Sequence, residues 1–320
     1  MQQWICNQPG TLSLQEVEMP QRTPGFSLLR LRNIGICGTD IHAFAGNQPF
    51  FSYPRILGHE LAVEIMESDT FEMGELATII PYFNCASCDA CAAGKPNCCE
   101  SLQVFGVHID GGMREYIVVE DHYILPGKGL TAEELALVEP LSIAAHGLRR
   151  AALKKGEKVL VMGAGPIGLF TILLAKIQGA SVEVAEPNSS RLQFCVENLG
   201  VSEASATAYS TVIDATGNLH AIESGFAKMA HGGKYVLIGL QKQAISFSHP
   251  EFHKREATLM SSRNATLEDF EYVMNLFRGE KVKANQFISH RFTKNHVPGI
   301  FAKINEPNQQ VIKAMITLAE

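Results

Sequence analysis

The sequence predicts an α/β chain of two domains, one of them built on a doubly wound parallel sheet. From about residue 155, strand-like apolar runs alternate with helix-period runs, the rhythm of a parallel sheet covered on both faces. Before that point the pattern differs. Short strands are broken by Pro and Gly turns, and one cysteine-rich stretch has no apolar periodicity at all. A length of 320 residues is enough for two separate cores.

In chain order, residues 1–33 read as short strands with turns at Asn7-Gln8-Pro9-Gly10 and Thr23-Pro24-Gly25. Leu28 to Arg32 alternates in part, as a half-buried strand does. Gly35 to Ala45 reads as a turn leading into a short helix. Tyr53-Pro54 and Gly58 then interrupt the chain before a strand from Leu61 to Met66. Gly111 to Val119 is again strand-like. Helical stretches at Ala132 to Val138 and Ser142 to Ala152 flank Glu139-Pro140-Leu141, where proline breaks the periodicity.

The alternating block opens with a buried-type strand, Lys158 to Met162. A glycine-rich turn and a helix to Gln178 follow. Strands are expected at Ser181 to Ala185, Val212 to Ala215, Tyr235 to Ile238 and Thr258 to Met260. Helices are expected at Ser189 to Leu199, 219–230 and 266–278. The last 40 residues, rich in Phe, Ile and Val, lose this rhythm and are expected to rejoin the first domain.

Composition narrows the function. Hydrophobic content of 46% and charge of 19% are those of an ordinary globular enzyme. A net charge of -6 with no basic run argues against general nucleic-acid affinity. The first residues, MQQWICNQPG, have no basic region followed by an apolar one, and the apolar run at Ile167 to Leu174 is too short to span a bilayer. A cytoplasmic location without membrane partners is therefore expected. Eight cysteines in such a chain point to metal or thiol chemistry rather than disulfides.

One stretch concentrates reactive side chains. Gly35 to Glu60 places Cys37, Thr39, Asp40, His42, His59 and Glu60 within 26 residues. Cys, His and a carboxylate are what a Zn²⁺ with an open fourth position binds. Thr39 and His42 are groups able to carry a proton away from it. Asp40 reads as a helix cap or an acceptor behind a ligand.

A second cluster, Cys85-x2-Cys88-x2-Cys91-x7-Cys99, offers four thiolates from one loop. Four sulfurs saturate a tetrahedral Zn²⁺ and leave no place for substrate, so this is read as a structural site. Cys98 is an alternative fourth ligand, and an iron–sulfur cluster is a competing reading of four cysteines. Cys6 and Cys195 stand alone and are expected to be buried core thiols.

The glycine-rich turn is Gly163-Ala164-Gly165-Pro166-Ile167-Gly168. It follows a strand and opens a helix, and Glu186 closes the next strand 18 residues after Gly168. That context is the Rossmann dinucleotide fingerprint. Gly163 permits the tight turn, Gly165 lets backbone approach a pyrophosphate, and Gly168 lets helix and strand pack closely. The helix N-terminus offers its free N–H groups to the phosphates. A carboxylate at Glu186 accepts ribose hydroxyls and repels the extra phosphate of NADP, so NAD is the expected cofactor. Arg191, Thr216 and Gly239 are placed beside it.

These residues together carry a resemblance. Gly35-Ile-Cys-Gly-Thr-Asp-Ile-His42, Gly58-His-Glu60, the cysteine lobe, Glu139-Pro140 and Gly163 to Gly168 resemble the zinc-dependent medium-chain alcohol and polyol dehydrogenases over nearly the whole chain. Gly46 to Arg55, Pro250 to Lys254 and Ser262-Arg-Asn-Ala265 look most like the sugar-acid branch, with L-galactonate and L-gulonate 5-dehydrogenases, and the sorbitol dehydrogenase type. The resemblance implies a GroES-like, mostly-β catalytic domain from residues 1–141 and 263–320, with a Rossmann domain at 142–262 inserted. It implies that Cys37, His59 and Glu60 hold the catalytic zinc. Glu139 then lies close to the metal as a water-holding or ligating carboxylate. Thr39 and His42 form the proton relay, and Cys99 is the last ligand of a second, structural zinc. A dimer or tetramer is implied as well.

The expected reaction is hydride transfer from a secondary alcohol of a polyol or sugar acid to NAD. Asn47, Phe50, Arg263 and Asn264 are candidate substrate residues, and Arg263 suits a carboxylate or a hydroxyl. A threonine- or diol-type substrate is the alternative. Two segments depart from the family pattern. The turn between Glu64 and Pro81 is about four residues short. Only about ten residues separate Gly200 from Val212, where the family has a further strand and helix and a crossover needs a dozen or more residues. A lost edge strand or residues absent from this sequence both account for the second departure.

Overall fold

A computed structural model describes residues 1–48, 51–205, 208–304, 306 and 310–318. The chain divides into two compact units, Met1–Glu139 with Thr266–Glu320, and Pro140–Ala265.

The first unit is organised on the strand Phe26–Ile36. Its sequence, FSLLRLRNIGI, is apolar on both faces, and Leu28, Leu29, Leu31, Ile34 and Ile36 are all buried. A strand covered on both sides needs such a run rather than strict alternation. It pairs antiparallel with Glu60–Glu67, with Tyr116–Glu120 and with Lys313–Thr317. Leu76–Ile79 and Ile124–Pro126 extend the sheet on one side, and Ile288–Thr293 extends it on the other. The core gathers Leu29, Ile34, Leu61, Val63, Ile65 and Ile316. The closing residues therefore return to the first sheet, and Lys313–Thr317 lies directly against the strand that leads to Cys37.

One element differs from expectation. One helix, Ala132–Arg150, replaces the two expected, with Pro140 inside it. The proline forfeits one ladder hydrogen bond, but Leu135, Leu137, Val138, Leu141 and Leu148 are fully buried along the helix and hold it through that position. The helix Leu267–Arg278 continues the strand–helix rhythm in sequence but belongs to the first unit. Its start is fixed by Asp269, which accepts the Thr266 N–H at 2.8 Å.

The second unit holds a six-stranded parallel sheet in the order Ser202–Glu203, Ser181–Ala185, Lys158–Met162, Tyr209–Asp214, Met229–Leu237, Thr258–Ser261. Val159, Leu160 and Val161 are wholly buried, as a central parallel strand requires. The strand order reverses at Lys158–Met162, so the crevice at its carboxyl end is the place where such sheets bind ligands.

The short segment after Gly200 is accommodated by reduction. A two-residue strand, Ser202–Glu203, edges the sheet beside Ser181–Ala185, and the next strand begins at Tyr209. Glu183 anchors the near end of the link, accepting the Ser205 N–H and facing the Tyr209 hydroxyl, each at 2.6 Å. Among the described residues, no helix is long and apolar enough to cross a membrane.

Candidate active site

Cys37 leaves the strand Phe26–Ile36 and precedes the helix Gly38–Phe44, while His59 and Glu60 stand at the start of Glu60–Glu67. The register pairs Gly35 with Glu60, so the two motifs meet side by side in one sheet. One ligand atom from each of Cys37, His59 and Glu60 lies within 4.8 Å of the others.

Asp40 sets this geometry. It is wholly buried, and its two oxygens accept the Cys37 N–H at 2.9 Å and the Gly58 N–H at 3.0 Å. One side chain thus ties the loop of the thiol to the loop of the imidazole. Gly58, at φ 93°, makes the turn that presents His59.

The group fits a cation. His59 is buried, its Nδ1 has no hydrogen-bond partner among the described residues, and the nearest Asp40 oxygen is 3.8 Å from it. Burial pushes its pKa down, yet Cys37, Asp40 and Glu139 together raise it well above the ordinary value. A field that strongly favours positive charge, with soft and hard donors converging, is what a Zn²⁺ site needs.

Glu139 is buried next to this group, and burial, with Glu60 adding repulsion, raises its carboxyl to about 7. The Tyr82 hydroxyl donates to Glu139 Oε1. Thr39 and His42 lie three residues apart on the helix Gly38–Phe44, hence on one face, with Thr39 half-buried and His42 exposed.

Lys313 was not foreseen. Its Nζ is 2.6 Å from both Glu60 oxygens and 3.2 Å from the Ile36 carbonyl, and the pair is about 1% exposed. Burial opposes its charge, but Glu60, Cys37 and Glu139 hold its pKa above the usual lysine value. The available signal was one lysine inside the apolar strand KAMIT. Tyr82 carried no signal of its own.

The second cluster joins Cys85, Cys88, Cys91 and Cys99, within the same 4.8 Å limit. Cys99 is buried and belongs to the group, whereas Cys98 is exposed and lies outside it. The side chain and backbone of Ser87 draw the Cys85 thiol down to about 5. Cys6 and Cys195 are buried, and burial lifts both thiols to about 11.

In the second unit the cofactor candidates line the carboxyl edge of the sheet. Gly163 has φ 92°, and a Cβ at Gly168 would meet the Gly163 carbonyl oxygen at 1.9 Å. Gly165, by contrast, has open space where a Cβ would stand, and Pro166 and Ile167 begin the helix Pro166–Ile177. Glu186 accepts the Ala164 N–H at 2.6 Å and the Asn188 N–H at 2.9 Å, which holds its carboxylate against the loop. Arg191 is in the first turn of Ser189–Leu199. Thr216 and Gly217 are gathered by Asp214, and a Cβ at Gly239 would meet the Gly217 nitrogen at 2.2 Å. This open loop before a helix N-terminus fits a pyrophosphate.

The substrate candidates are less gathered. Asn47 is exposed just past the helix of Thr39 and His42, its N–H bonded to the His42 carbonyl at 2.8 Å. Phe50 lies outside the described residues. Arg263 is exposed and Asn264 half-buried at φ 54°, both after the strand Thr258–Ser261 of the second unit.

Comparison with known proteins agrees with this chemistry. Residues 23–129 match the alcohol dehydrogenase GroES-like domain, and residues 166–279 match the zinc-binding dehydrogenase model. The chain is 41% identical to the L-galactonate-5-dehydrogenase of Escherichia coli K12, covering 98% of each. It belongs to the zinc-containing medium-chain dehydrogenase family.

The alignment to that relative runs over 332 positions against a chain of 320 residues, so the relative carries residues this dehydrogenase lacks. The 2-dehydro-3-deoxy-L-galactonate 5-dehydrogenase of Pseudoalteromonas atlantica is 31% identical, over 88% of this chain and 89% of its own. The fold matches the crystal structure of a short chain alcohol dehydrogenase from E. coli CFT073 complexed with the cofactor NADH. The TM-score is 0.93 at 26% identity, with 99% of each chain covered. As a member of this family the chain is an oxidoreductase, a GroES-like domain joined to a Rossmann sheet, acting on alcohols or polyols with zinc and a nicotinamide cofactor.

Proposed function

We propose that this dehydrogenase oxidises a secondary hydroxyl of a sugar acid of the L-galactonate or L-gulonate kind, with NAD as the acceptor. The convergence of Cys37, His59 and Glu60 beside the Thr39–His42 face carries the reading of the chemistry. The substrate class rests on the relative that is 41% identical and is named for L-galactonate.

In this reading Cys37, His59 and Glu60 hold the catalytic zinc, with Glu139 beside it, and Cys85, Cys88, Cys91 and Cys99 hold a structural one. When bound, zinc supplies Lewis acidity to the substrate hydroxyl and NAD accepts the hydride. Thr39 Oγ1 accepts the hydroxyl proton while handing on its own, which His42 passes to water. Asp40 keeps the thiol and the imidazole in register through its two backbone hydrogen bonds. Tyr82 fixes the direction in which the Glu139 carboxylate points. Gly163, Gly165, Pro166, Ile167 and Gly168 cradle the pyrophosphate, and Glu186, with Arg191 near it, faces the adenine-side ribose. Thr216 and Gly239 line the same edge. Asn47, Phe50, Arg263 and Asn264 are the groups proposed to hold the polyhydroxylated substrate. A cytoplasmic homo-oligomer, dimer or tetramer, completes the reading.

A screen of sugar acids, polyols and amino-alcohols with NAD tests it. The highest kcat/KM is expected on a hexonate. A maximum on threonine or a diol overturns the substrate assignment and puts the threonine- or diol-type enzyme in its place.

A further inference from the structure

The Phe26–Ile36 strand separates Glu60–Glu67 from Lys313–Thr317, yet Glu60 and Lys313 touch across it. They meet because the residue between them has no side chain. Gly35 stands opposite Glu60 on one side and Met315 on the other, and a Cβ there would lie 2.1 Å from Glu60 Oε2. Through that gap Lys313 Nζ reaches both carboxylate oxygens at 2.6 Å.

A buried ion pair is weak ground for stability, since desolvating two charges offsets most of their attraction. An apolar pair of the same volume would serve the sheet as well. The pair stands instead at the edge of the cation site, where Glu60 is also a member of the Cys37–His59–Glu60 group. Cys37, Glu60 and Glu139 bring three negative charges to a divalent cation, and the Lys313 ammonium brings the sum to neutrality.

We propose that Lys313 is a positioning residue that holds Glu60 back from the metal and so governs its share in the ligand set. The inference rests on the zinc reading above. With Lys313 present, the Glu60 carboxylate is divided between ammonium and cation. Without it, Glu60 turns wholly to the cation, and the group carries one uncompensated negative charge.

The test uses the full chain loaded with cobalt(II) in place of zinc, whose visible bands report the ligand set directly. The four-thiolate band of the cysteine lobe is common to all variants and serves as an internal standard. Lys313→Met is expected to shift and weaken the bands of the Cys37–His59 site. It should also slow loss of that metal to a chelator by about tenfold. In the Glu60→Gln background the same substitution should change neither. A Lys313→Met spectrum that superimposes on the parent, or a shift that persists in the Glu60→Gln background, overturns the proposal. If Lys313→Met alone fails to fold, comparing Glu60→Gln with Glu60→Gln/Lys313→Met still decides, because any spectral difference between those two overturns it. A parent chain that takes up cobalt only at the four-thiolate lobe defeats the zinc reading itself, which is a separate result.

Discussion

Asp40 accepts the Gly58 N–H at 3.0 Å from a position 18 residues earlier in the chain, and its second oxygen holds Cys37. The Gly58 link is buried, so its backbone donor has no water as a substitute, and the Cys37 link is part-buried. Removing the carboxylate leaves two orphaned N–H groups at the two loops that present the thiol and the imidazole. Asp40→Ala is expected to destabilise the chain by about 3 kcal/mol. It should also speed metal loss from the Cys37 group while sparing the cysteine lobe. Denaturant unfolding and metal release to a chelator measure the two effects. An unchanged release rate would remove Asp40 from the site.

Metal content separates the two clusters. The parent chain is expected to carry two zinc ions by mass spectrometry under native conditions. Cys37→Ser and Cys88→Ser should each carry one, for different reasons and with different consequences. Loss at Cys37 abolishes turnover and leaves the fold intact. Loss at Cys88 frees a lobe whose α-helix, Asp89–Ala92, buries no residue. Protease cleavage at Lys95 should then appear first.

Two glycines of one loop should respond in opposite ways. Gly168→Ala forces a Cβ onto the Gly163 carbonyl oxygen at 1.9 Å, and backbone has nowhere to retreat. A loss of about 3 kcal/mol in stability is expected. Gly165→Ala meets nothing within 4 Å, so stability should stay within about 0.5 kcal/mol. The same methyl group enters the space proposed for the pyrophosphate, and the Kd for NAD should rise by about tenfold or more. Calorimetry on both variants, with and without NAD, checks the contrast.

In the proposed function, cofactor choice follows from Glu186. Its carboxylate is held by the Ala164 and Asn188 N–H groups and cannot swing far from the loop. A second negative charge beside it costs several kcal/mol, so kcat/KM with NAD should exceed that with NADP by about 100-fold. Glu186→Gln should narrow the ratio. Equal efficiency with both cofactors in the parent chain would refute the role of Glu186.

Acid should loosen the short link after Gly200. The Ser205 N–H and the Tyr209 hydroxyl hold the Glu183 carboxyl down to about 2. The unfolded value is about 4.3, so the native state binds this proton more weakly than the unfolded one. The stabilisation is therefore complete above about pH 5 and is lost as pH falls toward 2. Glu183→Gln should flatten the dependence of stability on pH in that window. A slope identical to the parent's would show that Glu183 does not anchor the link.

What could be read from the sequence was what is written locally. The Cys37 motif, the Gly58-His-Glu60 motif, the four cysteines and the glycine loop each bring their donors together within a few residues, so spacing alone announced them. Glu139 was reachable only through the family pattern, since 78 residues separate it from Glu60. Register is a different kind of information. Nothing in KAMIT states that its lysine will stand two strands away from Glu60, and nothing in Gly35 states that it is small for the sake of another strand's carboxylate. Pro140 misled in the opposite direction, because the local rule of a broken helix yielded to burial on both sides of the proline.

The Glu60–Lys313 contact also sets an order of manufacture. Its partners are 253 residues apart, and the whole second unit, Pro140–Ala265, is synthesised between them. At ~5–20 residues per second, a ribosome needs roughly 13–50 s to supply the lysine after the glutamate. During that interval Cys37, His59 and Glu60 are already outside the tunnel, and the strand that closes their sheet is not. The middle of the chain can finish folding as a unit while the metal-binding half waits for its last strand. Premature termination after residue 265 should therefore yield a nascent chain able to bind a nucleotide but with its catalytic group held open.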